Sequence, residues 1–424
     1  MQGGIIADEM GLGKTIQLIG TIISNPVKTL IVLPLALVSQ WQRELVRLTN
    51  FKVVIYHGPK RGTIDLEKAD IIITTYHLIG RAKYEQMPYW LRKLNMKRVI
   101  FDEAHHLRTP TTKKYYGAKA LLSKVPYKWL VTGTPIQNRL DDYYSLLSCL
   151  GYRPDEYMDT YARSCITQEV MIKRTKTDVS MKLSPIKEEL IIVPWESKEE
   201  RLLAEDIHCK FQFSGKINDR EQHSHSYQFQ KGILGALLRA KQTCISSKLM
   251  APAFKVDEDS LDTDYDIEKA LVNSSKVNKV IEYILKHKDN NRSKLVFCHY
   301  RGEIDHIKFA LQREGLHVAT LDGRVPMKLR KEIVLRKDID VLIVQISTAC
   351  EGLNLQQYKD IYFVCANWNP AIEDQAIARC HRMGQTEQVH VYRFQMENMS
   401  NNLVTLDEYT SMLQDKKRDI MFTL

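Results

Sequence analysis

Paired cysteines are missing from this sequence. Its eight cysteines, at positions 149, 165, 209, 244, 298, 350, 365 and 380, stand singly, and none forms a Cys-x-x-Cys. That excludes a zinc knuckle or RING-type insert built on such pairs and offers no disulfide framework. Long apolar runs are missing too. The longest, Leu30 to Val38, is too short to span a bilayer and contains Pro34, so no membrane helix is expected. There are no internal repeats, and no charged-then-apolar secretion signal opens the chain. An intracellular, reducing setting is expected. With 44% hydrophobic and 26% charged residues, the chain has what a folded core requires, and disorder as its main state is excluded.

At 424 residues the chain is too long for one core, and two or three domains are expected. Lysine and arginine number 61 against 51 acids, a net charge of +10, which suits a polyanionic partner but leaves the fold open. Short apolar runs alternate with helix-length amphipathic stretches over the first 135 residues: Ile5-Ile6, Leu30-Leu33, Val53-Tyr56, Ile71-Thr74, Val99-Phe101 and Trp129-Thr132. The pattern returns at Leu295-Phe297, Val318-Leu321, Val341-Val344, Ile361-Val364 and Val389-Phe394. Such alternation predicts an α/β fold with two lobes, each a parallel sheet flanked by helices. Between them, from about Leu140 to Ser275, the pattern is mostly helical with one strand-like run at Glu189-Trp195. The acidic stretch Asp257 to Glu268 reads as a solvated loop, and His223-Ser-His225 as a polar loop without a metal.

Asp8-Glu9-Met10-Gly11-Leu12-Gly13-Lys14-Thr15 follows a short strand and precedes a helical run. Glycines let a backbone curl so that its N–H groups face phosphate oxygens, and the helix N-terminus adds its positive dipole end. Lys14 would reach the β/γ-phosphates, and the Thr15 hydroxyl would ligate Mg²⁺. Asp8 replaces the first glycine of the usual pattern. A buried-strand run, Arg98 to Phe101, ends in Asp102-Glu103-Ala104-His105. An acid at a strand's carboxyl end lies at the crevice where α/β folds bind ligands. Asp102 is expected to hold Mg²⁺ and Glu103 to orient or deprotonate the attacking water of nucleotide hydrolysis.

Taken together, these motifs resemble the Swi/Snf family of superfamily-two helicase-like ATPases, in order and over nearly the whole chain. Leu33-Pro34 through Trp41 and Leu45 resembles motif Ia, Thr74-Thr75-Tyr76 motif Ib, and Leu130 to Asn138 motif III. Met171 to Lys176 is similar to the basic stretch leading out of the family's first lobe, and Leu238 to Cys244 to the helical segment before its second. Asn367-Trp368-Asn369-Pro370 and Gln375 to Gln385 resemble motifs Va and VI. The resemblance implies two RecA-like lobes: residues 1–183, a helical insert at 184–275, and a second lobe at 276–424 with a C-terminal bracing helix. Arg379 and Arg382, three apart, are expected on one helical face, where they and Gln375 would serve a triphosphate bound by the first lobe. An arginine finger of this kind stabilises charge on the transferring phosphoryl group.

The resemblance further implies double-stranded DNA as partner, contacted through Ser39, Thr74, Thr132, Arg324, Arg330, Thr348, Asn354 and a groove-inserted Trp368. DNA-bound proteins would be the object of remodelling, and a monomer is favoured. Two departures stand out. The family carries an upstream segment whose glutamine recognises adenine; the chain opens a few residues before the phosphate loop, so that segment is expected to be missing and the strand at Ile5-Ile6 to expose apolar surface. In motif V, Ala349 and Cys350 replace two glycines, a wording similar to that of helicase-like proteins of large DNA viruses. The nucleus is the expected location or, for a viral member, a host cytoplasmic replication site. Two other functions stay open on sequence: a strand-separating DNA or RNA helicase, and a non-hydrolysing DNA-binding scaffold.

Overall fold

The computed structural model describes residues 3–181, 183–209, 227–254, 266–349, 353–399 and 403–422. The chain divides into two compact units, Met1–Lys182 with Lys417–Leu424, and Leu183–Lys416. The first is built on seven strands: β1 (Gly3–Ile6), β2 (Thr29–Leu33), β3 (Val53–Ile55), β4 (Ile71–Thr75), β5 (Arg98–Asp102), β6 (Tyr127–Val131) and β7 (Met171–Ile172). They form one parallel sheet in the order β3-β4-β2-β5-β6-β1-β7.

Strand side chains alternate between faces, so neighbouring residues should enter different cores. They do. Ile5, Leu30, Val32, Val99 and Phe101 pack with Tyr115, Leu121, Leu122 and Leu146. Ile6, Ile31, Leu33 and Ile100 pack with Leu18, Ile22, Trp41 and Leu45 on the other face. Helices therefore cover both faces, which is why these strands read as unbroken apolar runs rather than alternating ones.

In the second unit, β8 (Lys187–Val193), β9 (Lys294–Cys298), β10 (Val318–Leu321), β11 (Val341–Gln345), β12 (Asp360–Phe363) and β13 (His390–Met396) form a parallel sheet in the order β10-β11-β9-β12-β13-β8. Again two cores flank it, one holding Val296, Ile343 and Tyr362, the other Leu295, Phe297, Leu342 and Phe363. The expected α/β architecture of two helix-flanked parallel sheets is present.

Two expectations are corrected. The strand at Ile5-Ile6 does not expose apolar surface: β1 lies between β6 and β7, and Ile5 and Ile6 are 1% and 4% exposed. The strand-like run near Glu189 is not a lone strand in a helical insert. As β8 it continues the second sheet, with Lys187 opposite His390 and Val193 opposite Met396. The segment expected as a separate insert, 184–275, groups with the second unit. His223, His225 and most of the acidic stretch lie outside the described residues. Its end is described, and there Asp266 accepts from Lys269 N–H as the cap of the helix Ile267–Val272. Among the described residues no helix is long and apolar enough to cross a membrane.

Candidate nucleotide site

The loop Asp8–Gly13 joins β1 to the helix Lys14–Ser24. Gly13, the residue before that helix, has φ 74° and ψ 32°, and a Cβ there would meet nothing within 4 Å. Backbone shape rather than space calls for glycine at this turn. The Lys14 ammonium donates to the loop's own carbonyls, Asp8 O at 2.8 Å and Glu9 O at 3.3 Å. Gly133, from the loop after β6, comes close from the side: a Cβ on it would stand 3.1 Å from Met10 Cγ and 3.4 Å from Lys14 Nζ. Met10, Leu12 and Thr15 are half-buried, and Gly11 is exposed with φ 94°.

Asp8, the residue that replaces the pattern's first glycine, is wholly buried. Arg174 grips both its oxygens, Nη2 to Oδ2 at 2.6 Å and Nε to Oδ1 at 3.1 Å, and Gln17 Nε2 donates to Oδ2 at 3.0 Å. Burial alone would raise the Asp8 pKa, but the hydrogen bonds from Arg174 and Gln17 outweigh it and hold the carboxyl below its ordinary value. Glu9 is paired with Lys176 at 3.0 Å. The side chains of Asp8 and Glu9 are thus engaged by residues 174–176, while their carbonyls hold Lys14.

At the carboxyl end of β5, Asp102 accepts from Trp41 Nε1 at 2.7 Å on Oδ2 and from Glu103 N–H at 2.9 Å on Oδ1. Each oxygen keeps a further lone pair. A carboxylate with a threonine hydroxyl is a hard-oxygen donor set of the kind Mg²⁺ takes, so Asp102 and Thr15 are chemically suited to it. Burial, then the neighbouring Glu103 charge, pushes the Asp102 pKa up to about 6, against the Trp41 and Glu103 N–H hydrogen bonds. Glu103 sits in the left-handed region at φ 53°, a conformation that costs a non-glycine residue on the order of 1–3 kcal/mol. Its Oε2 is 3.3 Å from His105 Nδ1.

Other stretches converge here. Tyr76 donates its hydroxyl to Asp102 O at 2.7 Å, and His105 Nδ1 lies 3.4 Å from Thr132 Oγ1. Arg108 bonds Gln137, and the Gln137 and Asn138 amides share Asp142 Oδ2 at 3.0 and 2.8 Å. Sequence reasoning assigned no role to Trp41, Tyr76, Gln17 or Arg174. Trp41, Tyr76 and Arg174 lie inside stretches that resemble the family's, which was the only signal pointing toward them.

The second unit places Gln375 and Arg379 on the helix Pro370–Cys380. Its start is written in the sequence: Asn369 Oδ1 caps Ala371 N–H at 3.1 Å and Pro370 occupies the first helical position. Its end corrects an expectation. Arg379 and Arg382 do not share a helical face, because the helix stops at Cys380, with His381 at φ −96° and ψ 82°, and Arg382 lies in the turn beyond. The two are still close in effect: burial, then repulsion from Arg379, lowers the Arg382 pKa. Arg379 Nε is buried with no hydrogen-bond partner among the described residues.

The expected DNA contacts divide. Ser39 and Asn354 are exposed. Thr74, Thr132 and Thr348 are buried, and the Thr74 hydroxyl donates inward to Tyr56 O at 3.0 Å, so that side chain offers nothing to a ligand. Arg324 is held by Asp305 at 2.7 Å and Asp322 at 2.6 Å, and Arg330 bonds Val325 O and Asp322 O. Trp368 is half-buried against the core, edge-on to Tyr409 at 6.5 Å. Cys350 to Gly352 of motif V lie outside the described residues.

A phosphate loop after a parallel strand, with an acidic pair at the end of a strand nearby, defines a nucleotide-binding α/β lobe. Residues 1–249 match the SNF2-related domain and residues 275–384 the helicase conserved C-terminal domain. The chain is 27% identical to chromodomain-helicase-DNA-binding protein 7 of Gallus gallus over 461 residues, covering 97% of this chain and 14% of that protein. It is 26% identical to chromodomain-helicase-DNA-binding protein 8 of Danio rerio over 464 residues, covering 98% of this chain and 18% of that one. The chain therefore spans less than a fifth of either relative. Among solved structures it matches the Sulfolobus solfataricus SWI2/SNF2 ATPase core in complex with dsDNA at TM-score 0.40 and 23% identity, over 99% of this chain and 87% of that one. The chain belongs to the SNF2-related family of superfamily-two helicase-like ATPases.

Proposed function

We propose that this chain hydrolyses ATP and uses the energy to move along double-stranded DNA, displacing or shifting proteins bound there. The observation that carries the reading is that Lys14, held over its loop at 2.8 Å, lies near enough to Asp102 for its charge to act on the carboxyl, while Trp41 and Tyr76 fix Asp102 at the end of its strand. The loop amides and Lys14 bind the phosphates. Asp102 and Thr15 would hold Mg²⁺, which supplies positive charge to the phosphate oxygens. Glu103 takes the proton of the attacking water on its carboxylate, beside His105. The family resemblance assigns Gln375, Arg379 and Arg382 to the phosphoryl group in transfer, to which they would supply polar and positive groups. Duplex DNA as the track is supported by family membership, the DNA-binding names of the relatives, and the +10 charge.

The test is phosphate release from ATP without nucleic acid, then with duplex DNA, single-stranded DNA and RNA. Duplex DNA is expected to stimulate most, and Glu103→Gln to cut turnover by about 10²–10⁴ while nucleotide still binds. Displacement of a strand from a forked duplex would favour the strand-separating helicase instead. A folded sample with no turnover under any condition would favour the scaffold.

A further inference from the structure

Residues 171–176 continue the first sheet alongside the phosphate loop. β7 pairs with β1, Met171 opposite Ile5 and Ile172 opposite Ile6. Beyond the strands the ladder goes on: Ala7 N–H donates to Ile172 O at 2.7 Å and Glu9 N–H to Arg174 O at 2.8 Å. Side chains then close it. The Arg174 fork spans both oxygens of buried Asp8 and reaches Gln17 Oε1 at 3.1 Å, while its own N–H gives Asp8 Oδ1 a further bond at 3.1 Å. Lys176 N–H donates to Glu9 Oε2 at 2.8 Å, and its ammonium lies 3.0 Å from Glu9 Oε1. Gln17 completes the clamp from the helix side, donating to Asp8 Oδ2 and to Leu12 O, both at 3.0 Å. The two carbonyls that receive Lys14, Asp8 O and Glu9 O, thus belong to residues fixed by 174 and 176. Glycines permit the curl of this loop; the basic stretch decides where it sits.

We propose that Arg174 and Lys176 are positioning residues of the phosphate loop, holding Asp8 and Glu9 so that loop and Lys14 are shaped for phosphates before a nucleotide binds. This rests on the reading that the loop binds nucleotide. Asp8 has a function under this inference that a glycine could not serve, because it is the anchor that the clamp grips. An exposed arginine–carboxylate pair would contribute little, but a wholly buried carboxylate requires its partner. Preorganisation of this kind lowers the cost of binding and acts alike on bound substrate and transition state. Affinity should therefore move while kcat stays.

The experiment is a fluorescence titration of mant-ADP with Mg²⁺ into the whole chain, with kcat measured at saturating ATP. Arg174→Lys keeps the charge but loses the fork, and Lys176→Ala strands no buried charge, since the Glu9 side chain is 42% exposed. Arg174→Lys is expected to weaken mant-ADP about tenfold and Lys176→Ala about threefold, each with kcat within about twofold of the parent. Arg47→Ala, at an exposed pair elsewhere in the same unit, should change neither. Hydrogen exchange over residues 7–14 without nucleotide is expected to quicken in both clamp variants. Parental affinity in both, or a fall in kcat at unchanged affinity, overturns the inference, as does unchanged exchange. If exchange quickens but the parent itself binds no mant-ADP, the nucleotide reading fails and the clamp's purpose with it.

Discussion

Two ion pairs, one in each unit, use the same chemistry to different ends. In the first unit Asp8 is wholly buried, while the side chain of its partner Arg174 is 44% exposed. In the second unit both Lys276 and Asp407 are buried, with side chains 0% and 3% exposed. Asp407 also accepts from Met396 N–H at 3.0 Å and Cys365 Sγ at 3.2 Å, so this pair joins the helix Ser275–Lys286, the end of β13 and the helix Leu406–Phe422. A pair closed on both sides cannot part without unfolding its surroundings; it is framework. A pair with one member at the surface can loosen locally, which suits a loop that must accept and release a ligand.

The sharpest way to break this comparison is to remove one partner from each. Asp407→Ala leaves a buried ammonium alone and should cost about 3–5 kcal/mol in denaturant unfolding. Arg174→Ala leaves a buried carboxylate, but one that water can reach from the arginine's side, and about 1–3 kcal/mol is expected. Equal costs would mean that the two pairs do the same work.

Smaller effects should appear on titration, at opposite ends of the pH scale. Burial raises the Asp8 pKa, yet Arg174 and Gln17 bring it below its ordinary 3.8. Its contribution is therefore complete above 3.8 and is lost as pH falls through the lowered folded value. For Lys276, burial lowers the pKa but the charge of Asp407 and its hydrogen bond raise it, and the net value lies above 10.5. That contribution is complete below 10.5 and is lost as pH rises through the folded value. Hydrogen exchange should loosen residues 5–9 first in acid and residues near 276 and 407 first in alkali. Loosening of both at the same end would remove the distinction. The least change is expected from Trp41→Phe, which keeps most of the packing and loses one hydrogen bond to Asp102, worth about 1 kcal/mol.

Much of this was legible in the sequence because it is local. Apolar runs such as Leu30-Leu33 and Ile71-Thr74 became strands within a residue of their expected ends, since a strand buried on both faces has no polar positions to blur it. Asp102 ended its strand as expected, and Asn369-Pro370 opened a helix. What was hidden depends on partners far along the chain. The bonds from Arg174 to Asp8 cross 166 residues, and a basic stretch looks the same in sequence whether it faces solvent or grips a buried acid. β8 needed β13, about two hundred residues later, to show which sheet it joins. Arg382 was misplaced because helix spacing assumes that the helix continues. It ends at Cys380, before the turn containing Gly384 with φ 91°.

The clamp on the phosphate loop has a consequence for the order of events during synthesis. Residues 8–15 leave the ribosome long before their support exists, and the loop can be completed only when Arg174 and Lys176 have also emerged. At the usual rate of about 5–20 residues per second, the loop waits some seconds while β2 to β6 are made. For that interval it is a glycine-rich segment whose anchoring acid, Asp8, lacks its arginine. A part of the first unit made well before its support is thus among the last to acquire its shape.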